Sequence, residues 1–391
     1  MMGGWTTIEQ AVARVRPLDE RAMAAARERQ DQLLKPRGSL GELEELSIRV
    51  AGITGSVRDR LERKVHFLFG SDHGVYDQGV SGSPQDVTRA LMVLYARGGQ
   101  CAINVLCRQV GVELRLFDLG VKGLGPTEGI DASYKLMPDG TADFSRGRAM
   151  PIETARRAVE LGVHLVEQAK AEGQQIIGAG EVGMGNTTPA AACIMACVGS
   201  EDEALVGRGG GLTEEAFERK KRVVVEALRM HQPDRDDPLD VLSCVGGLDI
   251  AAMTGAFVGA AACRLPIVID GAISIAAALL ASKLCPGTTA YMIASHRSAE
   301  PAYAAAAEAL GVRPMLELGM RLGEGSGCPL AMQVVDAALA IMDEMGTFAD
   351  VSIESEYREE LVIRRYPTGE VLERANGTLM TMPDGQRWLF T

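Results

Sequence analysis

A chain of 391 residues, 47% hydrophobic but only 4% aromatic and holding 45 glycines, has room for a sizeable core of closely packed helices on a sheet, and its composition argues against an aromatic-rich β-sandwich. The formal charge of −12 excludes a general nucleic-acid binder or a polybasic membrane protein, so an anionic ligand must be held by local basic groups and helix N-termini. The opening MMGGWTTIEQ lacks the order of a secretory signal, apolar runs such as 251–263 fall short of the ~20 residues of a membrane span, and eight cysteines scattered without CxxC pairs fit buried thiols in a reducing cytoplasm.

In chain order, Thr6–Glu9 and Ser39–Glu42 each match a capping box ahead of apolar periodicity. Residues up to 58 are therefore expected to be helical, with Leu40, Leu43, Leu46 and Val50 on one face. VHFLFGSDHG (65–74) is a short apolar strand breaking into polar residues and glycine, and the pattern returns at 113–120, 174–181, 265–272 and 290–296. Helices are expected at roughly 86–109, 152–172, 187–198, 213–229, 249–262, 272–284, 301–310 and 327–346. This alternation predicts an α/β fold with a doubly wound, mostly parallel sheet. Such sheets bind ligands beyond the carboxyl ends of their strands, where Ser71, Asp72, His73, Glu181, Asp270, Ser295 and His296 fall. After residue 351 the composition changes. The stretch 359–390 alternates apolar and polar residues between the turn signals PTGE, ANG and PDG, which predicts a β-meander-like appendage.

Four glycine-rich or polar segments invite a chemical reading. GEVGMGNTTP (180–189) lacks the lysine and spacing of a P-loop and is out of register for GxGxxG. What remains is a glycine turn leading into a helix with Pro189 near its start, which suits an anion seat and equally a tight strand–helix turn. LGMRLGEGSGC (318–328) presents Arg321 and Glu324, and a structural ion pair at a helix entrance would use the same residues. LVGRGGGLTEEAFERKKRVV (205–224) has a glycine loop, a helix capped by Thr213 and Lys220 two turns in, although a solvated basic face also explains 219–222. SHRSAEP (295–301) carries His296, Ser298 and Glu300, and His296 has no clear acid partner for work as a base. Cys193 and Cys197 are four apart on a helix, but no His or second Cys pair accompanies them, so they read as buried thiols.

Taken in order with SDHGVYDQGVSGSPQDVT (71–88), VGGLDIAAMTGA (245–256), VIDGAIS (268–274) and the early LLKPRGSLGELE (33–44), these segments resemble the nicotinate-nucleotide–dimethylbenzimidazole phosphoribosyltransferase family. The resemblance runs from about residue 8 to 350, and the tail from about 352 lies outside it. It implies transfer of the 5-phosphoribosyl group of nicotinate mononucleotide to a lower-ligand base, 5,6-dimethylbenzimidazole or a relative. The products are nicotinate and an α-riboside phosphate for cobamide biosynthesis, with no cofactor and no metal. It also implies an α/β substrate-binding domain over 61–326 and a smaller helical domain from 1–60 and 327–351, with 352–391 appended. Assembly is expected as a dimer, of identical chains or of two paralogues.

By the same resemblance Glu324 is the general base and Glu181 a second catalytic acid beside the ribose. Gly183, Met184, Gly185, Asn186, Gly209, Gly210, Lys220, Ser298 and Arg321 match phosphoribosyl-binding positions. Ser83, Leu91, Val182 and Leu322 match base-binding ones. Leu91 stands where some members have glutamine, and Val182 where a larger aliphatic is common. The base pocket is therefore more apolar than a well-hydrogen-bonded benzimidazole needs, which keeps phenolic or purine acceptors, or a catalytically weak subunit, open as alternatives. A Rossmann-type dehydrogenase would need GxGxxG after the first strand, and VHFLFGSDHG does not supply it.

Overall fold

The structure, a computed structural model, describes residues 4–351 and the short strands at 361–366, 369–374 and 389–390. It divides into two compact units, Met1–Pro17 with Leu61–Gln333, and Leu18–Arg60 with Val334–Thr391.

The first unit holds a six-stranded sheet: β1 (Lys64–Ser71), β2 (Val112–Gly120), β3 (Ile130–Asp131), β4 (Ile176–Val182), β5 (Ile267–Ile269) and β6 (Met292–Ala294). Its order is β3-β2-β1-β4-β5-β6, and every neighbouring pair is parallel. β1 and β4 are buried along their whole length, as strands covered on both faces must be. The strand order reverses between β1 and β4, which opens a crevice at their carboxyl ends. Register sets Glu181 of β4 beside Phe69 of β1 there.

The helices are α1 (Ile8–Val12), α2 (Glu20–Gln32), α3 (Glu42–Thr54), α4 (Asp86–Ala96), α5 (Ala102–Val110), α6 (Ile152–Ala171), α7 (Thr187–Val198), α8 (Glu214–His231), α9 (Pro238–Val245), α10 (Leu248–Ala262), α11 (Ala272–Leu284), α12 (Ala302–Leu310) and α13 (Gly327–Glu344). Small residues let α6 and α10 touch backbone to backbone: a Cβ on Gly162 would lie 2.0 Å from the Ala252 carbonyl. None of the described helices is long and apolar enough to cross a membrane.

Several expectations need correction. The helix expected over 86–109 is two, α4 and α5, parted at a turn where Gly98 takes φ +74°. β5 and β6 have three residues each, shorter than expected. The first capping box is shifted by one residue: Thr7 caps α1 with Gln10, while the Thr6 hydroxyl donates to Glu167 at 2.9 Å. Ser39 caps nothing. The Glu44 carboxylate instead accepts the Leu40 N–H at 3.0 Å and pairs with Lys35 at 2.7 Å, and Gly41 stands at the N-cap of α3. Of the four residues expected on one face, Leu46 and Val50 are buried, whereas Leu40 and Leu43 are half-buried.

Beyond residue 351, β7 (Leu361–Tyr366), β8 (Gly369–Arg374) and β9 (Leu389–Phe390) form the expected antiparallel sheet, in the order β7-β8-β9. The ANG and PDG turns, and Pro367–Thr368 of PTGE, lie outside the described residues.

Candidate active site

A cavity of about 290 Å³ opens at the carboxyl ends of the strands, within the first unit. One wall follows β4 directly. Gly183 is tied to this place, since a Cβ there would sit 2.2 Å from the Ser71 carbonyl. The turn uses some of its own donors: Met184 N–H reaches Thr88 Oγ1 at 3.0 Å, Asn186 N–H the Gly183 carbonyl, and Thr188 N–H the Gly185 carbonyl. The N–H groups of Gly185 and Thr187 keep no partner among the described residues, so the expected anion seat is narrower than the motif suggested. A second helix, α11, starts at the same cavity behind Gly271, again without a side-chain cap. Two helix N-termini thus converge on one space, which favours an anion there.

Gly209 and Gly210, Ser298 and Arg321 complete this end. Gly209 has φ +55° and donates its N–H to Glu300 Oε1 at 2.9 Å. Arg321 has no ion-pair partner among the described residues, so the arginine–glutamate pair weighed from sequence is not formed. Lys220 is placed differently from expectation. It does not line the cavity: its fully buried ammonium donates to Thr187 Oγ1 at 2.7 Å and to the Gly207 carbonyl at 2.9 Å, behind the wall. Burial pushes its pKa down to about 8, with Glu300 opposing.

The opposite side carries acids. Glu324 has left-handed backbone (φ +64°) between Gly323 (+84°) and Gly325 (+74°), a conformation costing a non-glycine residue about 1–2 kcal/mol. Its neighbours hold it there. Asp270 Oδ1 accepts the Gly327 N–H at 2.7 Å, at the start of α13. A Cβ on Gly180 would lie 2.5 Å from the Gly325 nitrogen, and one on Gly325 2.1 Å from His66 Cε1, so the loop lies directly on β4 and β1.

Burial raises the proton affinity of the Glu324 carboxyl, while the nearby Tyr95 hydroxyl and the Ile103 N–H, 3.4 Å from Oε2, oppose the rise. Glu181 accepts a hydrogen bond from Asn186 Nδ2. Burial pushes its pKa up to about 8, helped by Asp249, Asp270 and Glu324. Asp249 lies beneath, 3.4 Å from Asn186 Nδ2 and 3.5 Å from His73 Nε2. Asp270 is pushed up to about 7 by burial, against the N–H groups of Gly327, Gly271 and Gly325. His296 does have an acid nearby, Asp270 at 3.8 Å, but its Nδ1 bonds Ser295 Oγ at 3.0 Å.

The remaining wall is apolar. Ser83, Val87, Leu91 and Tyr95 face the cavity at four-residue intervals along α4 and its approach, with Val182 opposite and Leu322, 57% exposed, at the mouth. All four expected base-binding residues therefore meet in one place. Tyr95 and Thr187, outside the expected site residues, also line the cavity, as does Glu300 of the SHRSAEP segment. Counting one helical turn on from Leu91 would have found Tyr95.

A family model described as phosphoribosyltransferase matches residues 15–353. The chain is 48% identical over 346 residues to the nicotinate-nucleotide–dimethylbenzimidazole phosphoribosyltransferase of Chloroflexus aurantiacus, covering 88% of this chain and 98% of that protein. The protein of the same name from Clostridium perfringens is 41% identical over 354 residues, covering 90% and 97%. Among solved structures, CobT from Thermus thermophilus matches with a TM-score of 0.81 at 39% identity, over 86% of this chain and 99% of that one.

Proposed function

The chain belongs to the nicotinate-nucleotide–dimethylbenzimidazole phosphoribosyltransferase family, and we propose that its cavity moves the 5-phosphoribosyl group of nicotinate mononucleotide onto a nitrogen of 5,6-dimethylbenzimidazole or a related base. The observation that carries this reading is the meeting of two buried carboxyls, Glu181 and Glu324, with two uncapped helix N-termini in one cavity. The helix ends and Ser298 suit the 5′-phosphate, with Arg321 at the rim. The C1′–nitrogen bond of the pyridinium nucleotide breaks, and its electron pair stays on the departing nicotinate. A lone pair of the acceptor nitrogen attacks C1′ from the opposite face, turning the β-linkage into α. The acceptor's other nitrogen thereby becomes acidic, and its proton goes to Glu324. A carboxyl whose proton affinity is raised by burial is suited to that transfer. Glu181 faces the ribose, where a carboxylate offsets the positive charge that develops at C1′.

Incubation with nicotinate mononucleotide and a panel of benzimidazoles, purines and phenols, followed by product masses, tests the reading. Binding of both ligands without nicotinate release would replace it with the ligand-binding subunit. Assembly as a dimer, with itself or a paralogue, belongs to the same proposal and is read from the particle's mass in solution.

The acceptor is set partly by Leu91. A glutamine there could hydrogen-bond the base, whereas leucine leaves a buried polar edge unpaired at a cost of about 1–3 kcal/mol. Leu91→Gln is expected to shift relative turnover toward polar-edged bases, purines included. An unchanged ranking over the panel would remove Leu91 from base selection.

Lys220 acts on the phosphate through the wall it braces. Lys220→Ala leaves Thr187 Oγ1 and the Gly207 carbonyl without their donor and removes a positive charge behind the helix end. Affinity for nicotinate mononucleotide is expected to fall by more than affinity for the free base, together with a lower melting temperature. Calorimetric titration of both ligands checks it, and equal weakening of the two would assign Lys220 to folding alone.

A further inference from the structure

At the acceptor end of the cavity, the Tyr95 hydroxyl has no part in the reaction as set out above. Tyr95 is the last residue but one of α4 and is 2% exposed. It lines the same cavity as Glu324, on the face shared with Val87 and Leu91. Asn104 Nδ2 donates to its backbone carbonyl at 3.0 Å, which pins the helix turn and leaves the phenol uninvolved. The hydroxyl itself has no hydrogen-bond partner of proper geometry among the described residues. Buried hydroxyls are seldom left so, and one that is points to a partner acquired in the working state.

The candidate is the Glu324 carboxyl, which lines the same cavity and lies close enough for the two groups to act on each other's charge. Glu324 is otherwise poorly served, with one long contact from the Ile103 N–H. The other titratable and charged groups around the pair include Glu181 from β4, Cys101 ahead of α5, Asp270 after β5, His66 of β1 under the loop, His296 after β6 and Arg321, three residues before Glu324 on the same cavity wall. The acids among them oppose a second negative charge, and His66 is held neutral by burial and lies beneath the loop backbone.

We propose that Tyr95 is a positioning residue for Glu324: its hydroxyl donates to one carboxylate oxygen while the other takes the acceptor's proton. This deepens the reading of Glu324 as the base and rests on it. A hydrogen bond to the charged form lowers a carboxyl's pKa, so the donor keeps Glu324 ionised when its burial and the surrounding acids would protonate it.

Tyr95→Phe in the intact protein tests the assignment. The hydroxyl makes no hydrogen bond of proper geometry among the described residues, so the variant is expected to fold as the parent does. Without the donor the Glu324 pKa rises, so the acid limb of the rate profile moves to higher pH. The variant-to-parent ratio of kcat, in which substrate titration cancels, is expected to be about tenfold below unity near pH 6 and to recover toward pH 9. KM for nicotinate mononucleotide stays as it was. In a Glu324→Gln background, Tyr95→Phe is expected to cost nothing further. Superimposable profiles, a loss that is equal at every pH, or a loss that persists in the Glu324→Gln background would each overturn the assignment. A rise in acceptor KM with an unmoved profile would also overturn it, making Tyr95 a base contact instead. Full turnover by Glu324→Gln alone would dismiss the base itself, and the role of Tyr95 with it.

Discussion

Glu324→Gln is expected to keep the fold and both substrates' affinities while losing about 10²–10⁴-fold in turnover, the usual contribution of a positioned general base. The amide fills the same volume and accepts the same long Ile103 contact, but it cannot take a proton. Its backbone bears the same left-handed strain as glutamate does, and the supports that hold the loop, Asp270 on the Gly327 N–H and His66 beneath Gly325, are untouched. The loss should therefore be chemical. Single-turnover release of nicotinate, measured beside calorimetric binding of each ligand, separates the two contributions. Near-normal release would end the assignment. The acceptor sharpens the test, since a phenol with a pKa of about 10 presents a far harder transfer to a carboxyl than the acidified N–H of an attacked benzimidazole. Phenol turnover should depend on Glu324 at least as steeply.

Much of the frame behind this chemistry is legible in the chain. β2 is continuously buried only from Leu116 onward. β1 and β4 stand out because a parallel strand covered on both faces is an apolar run, and each ends where its residues turn polar. The end of β4 delivers Glu181 to the cavity for that reason, and the residue after β5, Asp270, holds the loop behind it through the Gly327 N–H. Boundaries that depend on single turns were harder to read. Gly98–Gly99 splits α4 from α5 inside a stretch whose apolar spacing continues across the break. The short α9 carries a good start signal, Asp237 capping with Pro238 at its first position, but eight residues give little periodicity to detect. At Ser39–Glu42 a local motif lost to a tertiary partner, since the nearby Glu44 takes the loop N–H groups and Lys35.

The site was legible as a set of residues and less so as a depth. Gly183–Asn186 could be expected at a ligand site because a glycine turn joins a strand to a helix there and the segment resembles the family's. The structure puts the turn on the cavity, where a Cβ on Gly183 would meet the Ser71 carbonyl. Lys220 sits in the charged run 218–222 yet shares the buried face of α8 with Val223, Val224 and Ala227, and its ammonium ends on Thr187. Tyr95 was hidden for the opposite reason. An aromatic residue on the apolar face of a helix reads as core, and only the juxtaposition of α4 with the loop from Gly323 to Gly327 gives its hydroxyl a neighbour.

Glu181→Gln should trade function for stability, because the carboxyl is held in a place that disfavours its charge. Its pKa is pushed up to about 8 in the folded protein, by burial first and by Asp249 next, against a value near 4.5 when exposed. The sign follows directly. Between those two values the folded state binds a proton that the unfolded state has released, so stability falls as pH rises from about 4.5 to 8. Asp270 acts in the same direction up to about pH 7, as does Glu324. The histidines His66, His164 and His296, whose pKa values burial lowers, act the other way below about pH 6.5. The ligand-free protein is therefore expected to melt at progressively lower temperature from about pH 6.5 to 8, the acids together costing on the order of a few kcal/mol over their full range. Glu181→Gln, uncharged throughout, should flatten part of that decline and melt higher than the parent at pH 8. Binding reverses the balance. On the proposed role of Glu181, the pyridinium ring favours its carboxylate form, so nucleotide binding is expected to draw off the Glu181 proton and nucleotide affinity to rise with pH across this range. The glutamine variant lacks that charge and is expected to turn over about 10²–10³-fold more slowly, the scale of losing one electrostatic contact to a developing charge. Its nucleotide affinity should depend on pH less steeply than the parent's, the remainder coming from the 5′-phosphate and the other titrating groups. Melting curves and nucleotide titrations of both proteins from pH 5 to 9 read all three effects. A variant with the parent's melting slope and near-parental turnover would show that Glu181 neither carries the buried charge nor faces the ribose.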